Sequence, residues 1–333
     1  MATNTTEIVP TGAIRYNTDS NKMECYNGTK WMQIAVSSPD LNGGARGTFS
    51  GGHTPTVLNT IDYITIPTAG NATDFGDLTV ARSASGSVGS RTRGLQGGGY
   101  TGSNSDVIDF WTFSSTGNAT DFGNLVGAAH WTQPTSSATR GVWAQGNNPG
   151  SSNIIQYVTM ASSGNAVDFG DMSYGASVTA NSSNQSPTRG FFGGGTPTTT
   201  NVIEYITTAT LGNSQDFGDS STHVAREARG SSSTRALLIG GTRAEPSSAT
   251  IIDYFTMSSL GNAIDFGDSS ASIKNSAGCS DSIRVAFAFG EAPSNVDTIE
   301  YVNISTGGDA VDFGNLTVAR NHLAGCSNAH GGL

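Results

Sequence analysis

Gly-Asn-Ala-Thr-Asp-Phe-Gly, at residues 117–123, is one of six near-identical segments that recur through the chain. Their phenylalanines stand 47 to 49 residues apart, at Phe75, Phe122, Phe169, Phe217, Phe266 and Phe313. A repeat of about 40–50 residues made of short strands and glycine turns is typical of a β-propeller, in which each repeat forms one blade. The six copies of this signature therefore predict an all-β fold with six blades.

Each repeat divides into four short segments separated by glycine or polar turns, which is the pattern of a four-stranded blade. The second segment ends in a double glycine at Gly51-Gly52, Gly97-Gly98, Gly193-Gly194 and Gly240-Gly241, and this weakens to Gly146-Asn147 and Gly290-Glu291. An aromatic residue precedes each signature phenylalanine by 12 residues, at Tyr63, Phe110, Tyr157, Tyr205, Tyr254 and Tyr301. Between about residues 43 and 328 this layout resembles the kelch family, although the second aromatic residue of kelch repeats is usually tryptophan and lies closer. The resemblance implies a kelch-like six-bladed β-propeller with aromatic side chains packed between blades.

The two ends of the repeat region complement each other. The first repeat begins at its second strand, within residues 46–52, whereas residues 320–328 match the innermost strand that opens the other repeats. We expect these two segments to pair, so that the C-terminal strand closes the ring and removes a free sheet edge. This assigns residues 43–333 to the propeller and residues 1–42 to an N-terminal arm and linker.

The arm contains two short predicted strands, Ile14 to Asn17 and Met23 to Tyr26, joined by an Asp-Ser-Asn turn and followed by a tight turn at Asn27-Gly28. Over about 25 residues it is similar to a short module of bacteriophage tail fibres and other virion proteins, with Gly-x-Ile-Arg-Tyr-Asn-Thr before Glu-x-Tyr-Asn-Gly-x-x-Trp. A hairpin of this size is marginally stable alone. It therefore needs a partner, which is a copy of itself, the propeller or another virion protein. The residues predicted to dock are Ile14, Tyr16, Tyr26 and Trp31.

Composition excludes several classes of function. The net charge is −10 and only 13% of residues are charged, which argues against nucleic-acid binding because that binding depends on Lys and Arg. We expect no secretion signal and no membrane segment, because neither a basic and apolar leader nor an apolar run of about 20 residues is present. Cys25, Cys279 and Cys326 are an odd number, so we expect free thiols and synthesis in a host cytoplasm.

The repeated polar residues have structural interpretations. Asp-Phe-Gly also occurs in protein kinases, but none of the other kinase motifs is present, so we expect the aspartates to hold turns. Calcium binding stays open because Asp or Asn follows every signature glycine. The arginine that opens each second strand is expected to fix a loop within its blade, with anion binding as the alternative. These arginines are Arg46, Arg93, Arg140, Arg189, Arg235 and Arg284.

Binding is expected where the repeats differ, because rigid scaffolds usually carry function on their loops. The loops after the double glycines diverge most, and Trp131 replaces small residues of other repeats. Tyr100 or Trp131 would stack on a sugar, with the alternative that Trp131 fills a gap between blades. The candidate binding residues are His53, Tyr100, His130, Trp131, Arg243 and Glu291.

The sequence thus predicts a bacteriophage virion protein, of the tail-fibre or spike type, that attaches the particle to a host-surface glycan or receptor. Other virion proteins would bind residues 1–42, and the protein would form a homo-oligomer on the particle. The alternative is a capsid-decorating or tail structural protein without receptor binding. An enzyme acting on polysaccharide is a weaker alternative, because no catalytic or metal-ligand pattern appears. We expect no enzymatic activity, cofactor or metal.

Overall fold

The computed structural model describes residues 9–18, 22–33, 45–144, 146–148, 150–196, 200–242 and 249–333. Contacts divide the chain into two compact units, Met1–Leu41 and Asn42–Leu333. The described residues form seven small antiparallel sheets of three or four strands and contain no helix, which confirms the all-β prediction and is consistent with a propeller-like fold. None of these residues belongs to a helix long and apolar enough to cross a membrane.

The first unit is a three-stranded sheet, here called the arm sheet, formed by β1 (Ile14–Asn17), β2 (Lys22–Tyr26) and β3 (Trp31–Gln33). The two predicted strands are present, and a third strand extends the expected hairpin. The chain reverses into β3 because Asn27 Oδ1 accepts hydrogen bonds from the backbone N–H groups of Thr29 (3.0 Å) and Lys30 (2.9 Å). The predicted turn at residues 19–21 lies outside the described residues.

The second unit contains six four-stranded sheets, here called repeat sheets 1 to 6. Their strands are β4 (Arg46–Ser50), β5 (Thr60–Thr65), β6 (Thr73–Asp77), β7 (Gly86–Gly89), β8 (Arg93–Gly97), β9 (Val107–Thr112), β10 (Thr120–Asn124), β11 (Gln133–Ser136), β12 (Arg140–Ala144), β13 (Ser152–Thr159), β14 (Val167–Ala176), β15 (Asn184–Gln185), β16 (Arg189–Gly193), β17 (Val202–Thr207), β18 (Gln215–Asp219), β19 (Ala228–Ser231), β20 (Arg235–Ile239), β21 (Ala249–Thr256), β22 (Ile264–Ile273), β23 (Ala277–Ser280), β24 (Arg284–Ala288), β25 (Thr298–Asn303), β26 (Val311–Asn315) and β27 (Ala324–Ser327). Repeat sheets 2 to 6 take four consecutive strands each, from β7 to β26.

Repeat sheet 1 joins the two ends of the repeat region, in the strand order β27-β4-β5-β6. The C-terminal β27 pairs antiparallel with β4, from Ala324 opposite Ser50 to Ser327 opposite Gly47. The predicted pairing of residues 320–328 with residues 46–52 is therefore present. It gives β4 the inner neighbour that every other second strand has within its own repeat.

The signature phenylalanines are the extra residues of a β-bulge between the third and fourth strands. In repeat sheet 1, Ile61 pairs with Gly76 and Asp62 pairs with Asp74, so Phe75 has no partner across the ladder. Its side chain is buried against Tyr63 of the same sheet and Trp111 of repeat sheet 2. The signature thus places one aromatic ring between adjacent sheets.

Consecutive signatures also bind each other through three hydrogen bonds, here called the clasp. At the junction of repeat sheets 1 and 2, the N–H groups of Gly117 and Ala119 donate to the carbonyls of Phe75 (2.7 Å) and Asp77 (2.8 Å). The Asp77 N–H donates in turn to Asn118 Oδ1 (3.1 Å). Equivalent bonds occur at the other four successive junctions and between repeat sheets 6 and 1.

The signature aspartates do not hold these turns, contrary to expectation. They are exposed on the fourth strands, and the residue after the first signature glycine accepts the hydrogen bond instead. The aspartates are Asp74, Asp121, Asp168, Asp216, Asp265 and Asp312.

The opening arginines of the second strands link neighbouring sheets, which corrects the expectation of a contact within one blade. Arg46 Nη1 donates to the carbonyl of Phe113 in repeat sheet 2 (2.6 Å), while its guanidinium carbon lies 4.9 Å from the ring centre of Tyr63 in its own sheet. The other five arginines make the same two contacts.

A buried polar side chain in each third strand makes a further junction contact. Asp109 accepts hydrogen bonds from the N–H (3.1 Å) and hydroxyl (2.6 Å) of Thr79, which stands three residues after the preceding signature glycine. Asp109 also pairs with the fully buried Arg82 at 3.1 Å. The equivalent acceptors are Asp62, Gln156, Glu204, Asp253 and Glu300.

The C-terminal tail lies across the ends of the inner strands. His330 is buried, and its Nε2 donates to the carbonyl of Gly89 (2.7 Å) while its Nδ1 accepts from the N–H of Gly332 (3.1 Å). The Gly331 N–H donates to the Ser231 carbonyl (3.0 Å). Burial lowers the pKa of His330 to about 4, and both ring nitrogens already have roles that suit the neutral form.

The clasp predicts opposite effects for two glycines of one junction. Gly123 has φ +148°, and a Cβ added to it would lie 2.5 Å from the carbonyl oxygen of Gly164. A Cβ added to Gly164 would have no atom within 4 Å. We expect Gly123→Ala to lower the free energy of unfolding by about 3 kcal/mol. The control Gly164→Ala should be neutral or stabilising by up to about 1 kcal/mol. Equal effects of the two variants in urea denaturation would contradict the clasp.

Buried His330 predicts a stability that falls in acid. The unfolded side chain gains a proton near pH 6.5 and the folded one only near pH 4, so its contribution is complete above pH 6.5 and is lost as pH falls to 4. We expect the difference in unfolding free energy between wild type and His330→Gln to shrink by about 3 kcal/mol between pH 7 and pH 4. Denaturation curves across this range measure it, and a constant difference would show that His330 titrates normally.

Candidate functional site

The residues that follow the double glycines lie at one common end of the repeat sheets. Each forms a bridge with a residue that precedes the inner strand of its own sheet. These pairs are His53 with Asn321, Tyr100 with Ser83, Asn147 with His130, Thr196 with Val178, Thr242 with Ala225, and Glu291 with Lys274. The structure therefore brings the predicted His53, Tyr100, His130 and Glu291 to the same end. Arg243 lies outside the described residues.

Five non-glycine residues with left-handed backbone form the centre of this end. They stand two residues before the inner strands and are here called the central ring: Ala84 (φ 53°), Trp131 (59°), Arg226 (63°), Asn275 (54°) and His322 (54°). The Trp131 N–H donates to the Ala84 carbonyl (2.6 Å), Ala84 N–H to His322 (2.9 Å) and His322 N–H to Asn275 (3.0 Å). Bulky side chains rarely adopt this conformation, and such strain concentrates at functional sites.

Trp131 is the packing centre of the ring. It is only 7% exposed, and its ring lies 4.7 Å from that of His322 and 5.4 Å from the guanidinium carbon of Arg226. His130 contacts it from the outer side at 6.5 Å. These contacts favour the gap-filling interpretation of Trp131 over stacking on a sugar.

Tyr100 is the exposed aromatic side chain of the site. It is 42% exposed, and its ring centre lies 5.4 Å from that of His130. Asn104 fixes His130, because Asn104 Nδ2 donates to the Asn147 carbonyl (2.7 Å) and turns Oδ1 toward His130 Nδ1 (2.8 Å). An amide oxygen only accepts, so Nδ1 carries the proton and Nε2 is left as an acceptor.

The electrostatics of the site keep its histidines neutral. Burial, assisted by the positive charge of Arg226, lowers the pKa of His322 to about 4, and burial also lowers the pKa of His130. Glu291 is held by Lys274 Nζ (3.3 Å) and Asn275 Nδ2 (2.9 Å). Arg226 and Lys274 are the cations around the central ring, and the negative charge of Glu291 acts on Arg226 and is in contact with Lys274.

Arg226, Asn275 and His322 were not identified from the sequence. They occupy the same repeat position as Trp131, so the interpretation that Trp131 replaces small residues was wrong for these three and holds for Ala84. The property that unites them is the left-handed backbone, and residue type does not reveal it.

The predicted docking residues of the arm are divided between the two faces of the arm sheet. Ile14 and Tyr16 lie on one face and are 62% and 56% exposed; Met23, Cys25 and Met32 share this face through direct cross-strand pairing. Tyr26 and Trp31 lie on the opposite face, where Arg15 covers Trp31 at 4.1 Å. The first face is apolar and open, and the second is covered by its own side chains.

The described residues contain no group of three or more His, Cys, Asp or Glu side chains that could hold a metal ion. All three cysteines are free thiols, as expected. Burial raises the pKa of Cys326 to about 12 and that of Cys279 well above its usual value, so neither is a ready nucleophile.

Surface clefts also occur at the outer hairpins of the repeat sheets. The cleft of repeat sheet 4 has a volume of about 490 Å³ and is lined by residues 205–207 and 210–215. A smaller cleft lies at the equivalent hairpin of repeat sheet 5. These clefts belong to the repeated framework, so the non-repeating residues around the central ring are the stronger candidate site.

No protein-family model and no curated protein matches the chain.

Together with burial, the charge of Arg226 lowers the pKa of His322, and this predicts the effect of removing that charge. Because the guanidinium charge opposes protonation of His322, we expect Arg226→Gln to raise the pKa of His322 from about 4 toward 6.5. Titration of the histidine ring signals by NMR measures it, with His322→Gln providing the assignment. Arg91→Gln, which removes one positive charge from the exposed turn between β7 and β8 at the opposite end of repeat sheet 2, should leave the titration of His322 unchanged. An unaltered midpoint in Arg226→Gln would show that the two side chains are not coupled.

Proposed function

We propose that this chain is a virion protein of a bacteriophage, of the tail-fibre or spike type, that attaches the particle to the host surface. The concentration of non-repeating polar and aromatic side chains at one end of a rigid repeat scaffold carries this proposal. Attachment by binding is proposed over catalysis, because the Glu291 carboxylate is already bound by Lys274 and Asn275.

The proposal includes a closed, kelch-like propeller of six blades, one for each repeat sheet. The clasp supports closure, because the bonds between repeat sheets 6 and 1, such as Gly70 N–H to the Phe313 carbonyl (2.7 Å), repeat those of the other junctions. The pairing of β27 with β4 supports it further. A closed ring would hold the loops of all six blades in fixed relative positions.

The arm sheet is proposed to dock the protein onto other virion proteins, and several copies on one particle would give multivalent attachment. Its open face carries Ile14, Tyr16, Met23 and Met32, each more than 40% exposed. A three-stranded sheet whose apolar side chains are this exposed gains stability when they are buried. The resemblance of this segment to virion modules names the class of partner.

Phage particles that lack this protein test the proposal. We expect them to adsorb to the host bacterium at least tenfold more slowly, and we expect electron microscopy to place the protein on the tail of normal particles. Normal adsorption, with many copies on the capsid shell, would instead establish the decoration alternative.

The docking face can be tested on the same particles. Met23→Asp should reduce incorporation of the protein, because it places a charge on the open apolar face. Thr18→Asp adds the same charge at an exposed turn and should incorporate normally. Equal incorporation of the two variants would exclude this face.

A further inference from the structure

Arg226 is a partly buried cation whose guanidinium has no hydrogen bond or ion pair with the described residues. The other arginines at the inner strands all have acidic partners: Arg82 with Asp109, Arg320 with Asp62, and Arg229 with Glu227. A guanidinium presents five N–H donors, and those of Arg226 are not among the buried unpaired side-chain atoms, so they are open to solvent and to a ligand. The guanidinium of Arg226 can therefore donate hydrogen bonds to an acceptor that the described part of the chain does not supply.

The surroundings of Arg226 favour an anionic acceptor. Burial lowers the pKa of Arg226, and the negative charge of Glu291 partly opposes this effect. The Glu291 carboxylate is itself bound by Lys274 and Asn275. The Trp131 ring holds the guanidinium at 5.4 Å and limits its movement. A positively charged and oriented fork of this kind matches a carboxylate, which accepts two parallel hydrogen bonds from it.

A row of aromatic rings leads from this cation to the exposed edge of the site. Trp131 contacts His130, His130 contacts Tyr100, and the Tyr100 ring is open to solvent. An aromatic ring with one exposed face packs against the apolar face of a pyranose. Asn104 holds His130 with its Nε2 free to accept a hydrogen bond from a sugar hydroxyl.

We propose that the central ring and Tyr100 bind an acidic oligosaccharide, with a carboxylate on Arg226 and a neighbouring sugar on Tyr100. This rests on the proposed attachment function and names the class of host-surface ligand. The ligand would enter along the aromatic row, so that one sugar unit supplies charge recognition and another supplies apolar contact.

Calorimetric titration of the full-length protein tests the site. The probes are trimers of galacturonate, glucuronate and mannuronate, each compared with its neutral, carboxyl-reduced counterpart. We expect at least one acidic trimer to bind about tenfold or more tightly than its counterpart, the effect of one hydrogen bond to a charged group. Failure of all three acidic trimers to bind, or equal binding of acidic and neutral trimers, would overturn the proposal.

Two variants test separately the proposed contact of the carboxylate with Arg226 and that of the sugar with Tyr100. Arg226→Gln should weaken the acidic trimer about tenfold or more and abolish the preference for charge, whereas Tyr100→Ala should weaken acidic and neutral trimers alike. Arg91→Gln removes the same charge from the exposed turn between β7 and β8, at the opposite end of repeat sheet 2, and should have no effect. Unchanged binding by Arg226→Gln would overturn the proposal. If Arg226→Gln lowers the melting temperature, Arg226→Lys, which keeps the charge but loses the fork, replaces it and should show an intermediate loss.

Adsorption separates this inference from the function on which it rests. If particles carrying Arg226→Gln adsorb normally while particles without the protein do not, attachment stands and the acidic-saccharide site is wrong. If particles without the protein adsorb normally, attachment is wrong, and the titrations still decide whether the site binds an acidic sugar.

Discussion

The clasp between consecutive signatures is the interaction on which the repeat region depends. Each signature donates to the preceding sheet through its first half and accepts from the following sheet through its second half, as Gly117 and Phe122 do. A change in one copy therefore affects two junctions. This double role explains why both glycines and the phenylalanine of the signature are identical in all six copies. The aspartate is identical too, but it is exposed and makes no described side-chain contact, so the clasp does not account for it. The last glycine of each signature must also be glycine, because a Cβ there would collide with the carbonyl of the next sheet, as at Gly123.

The junctions also contain buried polar side chains, whose partners differ between repeat sheets. In repeat sheets 1 and 2, a buried aspartate meets a buried arginine at 3.1 Å. In repeat sheet 3 the acceptor is the neutral Gln156, and Ala129 stands at the position of Arg82. In repeat sheets 4, 5 and 6 the acceptor is again a carboxylate, and it accepts a hydrogen bond from a serine of the preceding repeat. These pairs are Glu204 with Ser173, Asp253 with Ser221, and Glu300 with Ser270.

The sequence alone predicted the features that follow from the repeat period and from matches between repeats. The spacing of Phe75 to Phe313 predicted the repeated sheets, and the match between residues 320–328 and the inner strands predicted the pairing of β27 with β4. The partners of Arg46 and Asn118 could not be predicted, because position within a repeat does not tell whether a contact is made inside one sheet or across a junction. The central ring was missed for a different reason. Trp131, Arg226 and His322 are related by backbone conformation, which their side chains do not encode.

The central ring also indicates that its side chains are there for a purpose other than folding. This chain places glycine where the backbone is left-handed at the double glycines, including Gly51, Gly98 and Gly240. Trp131, Arg226 and His322 adopt similar φ values, at a cost of about 1–2 kcal/mol each relative to glycine. Packing recovers part of that cost for Trp131, which is buried. It does not do so for Arg226, which also loses hydration. An arginine in this conformation, partly desolvated and without a hydrogen-bond partner among the described residues, is the observation on which the proposed carboxylate site rests.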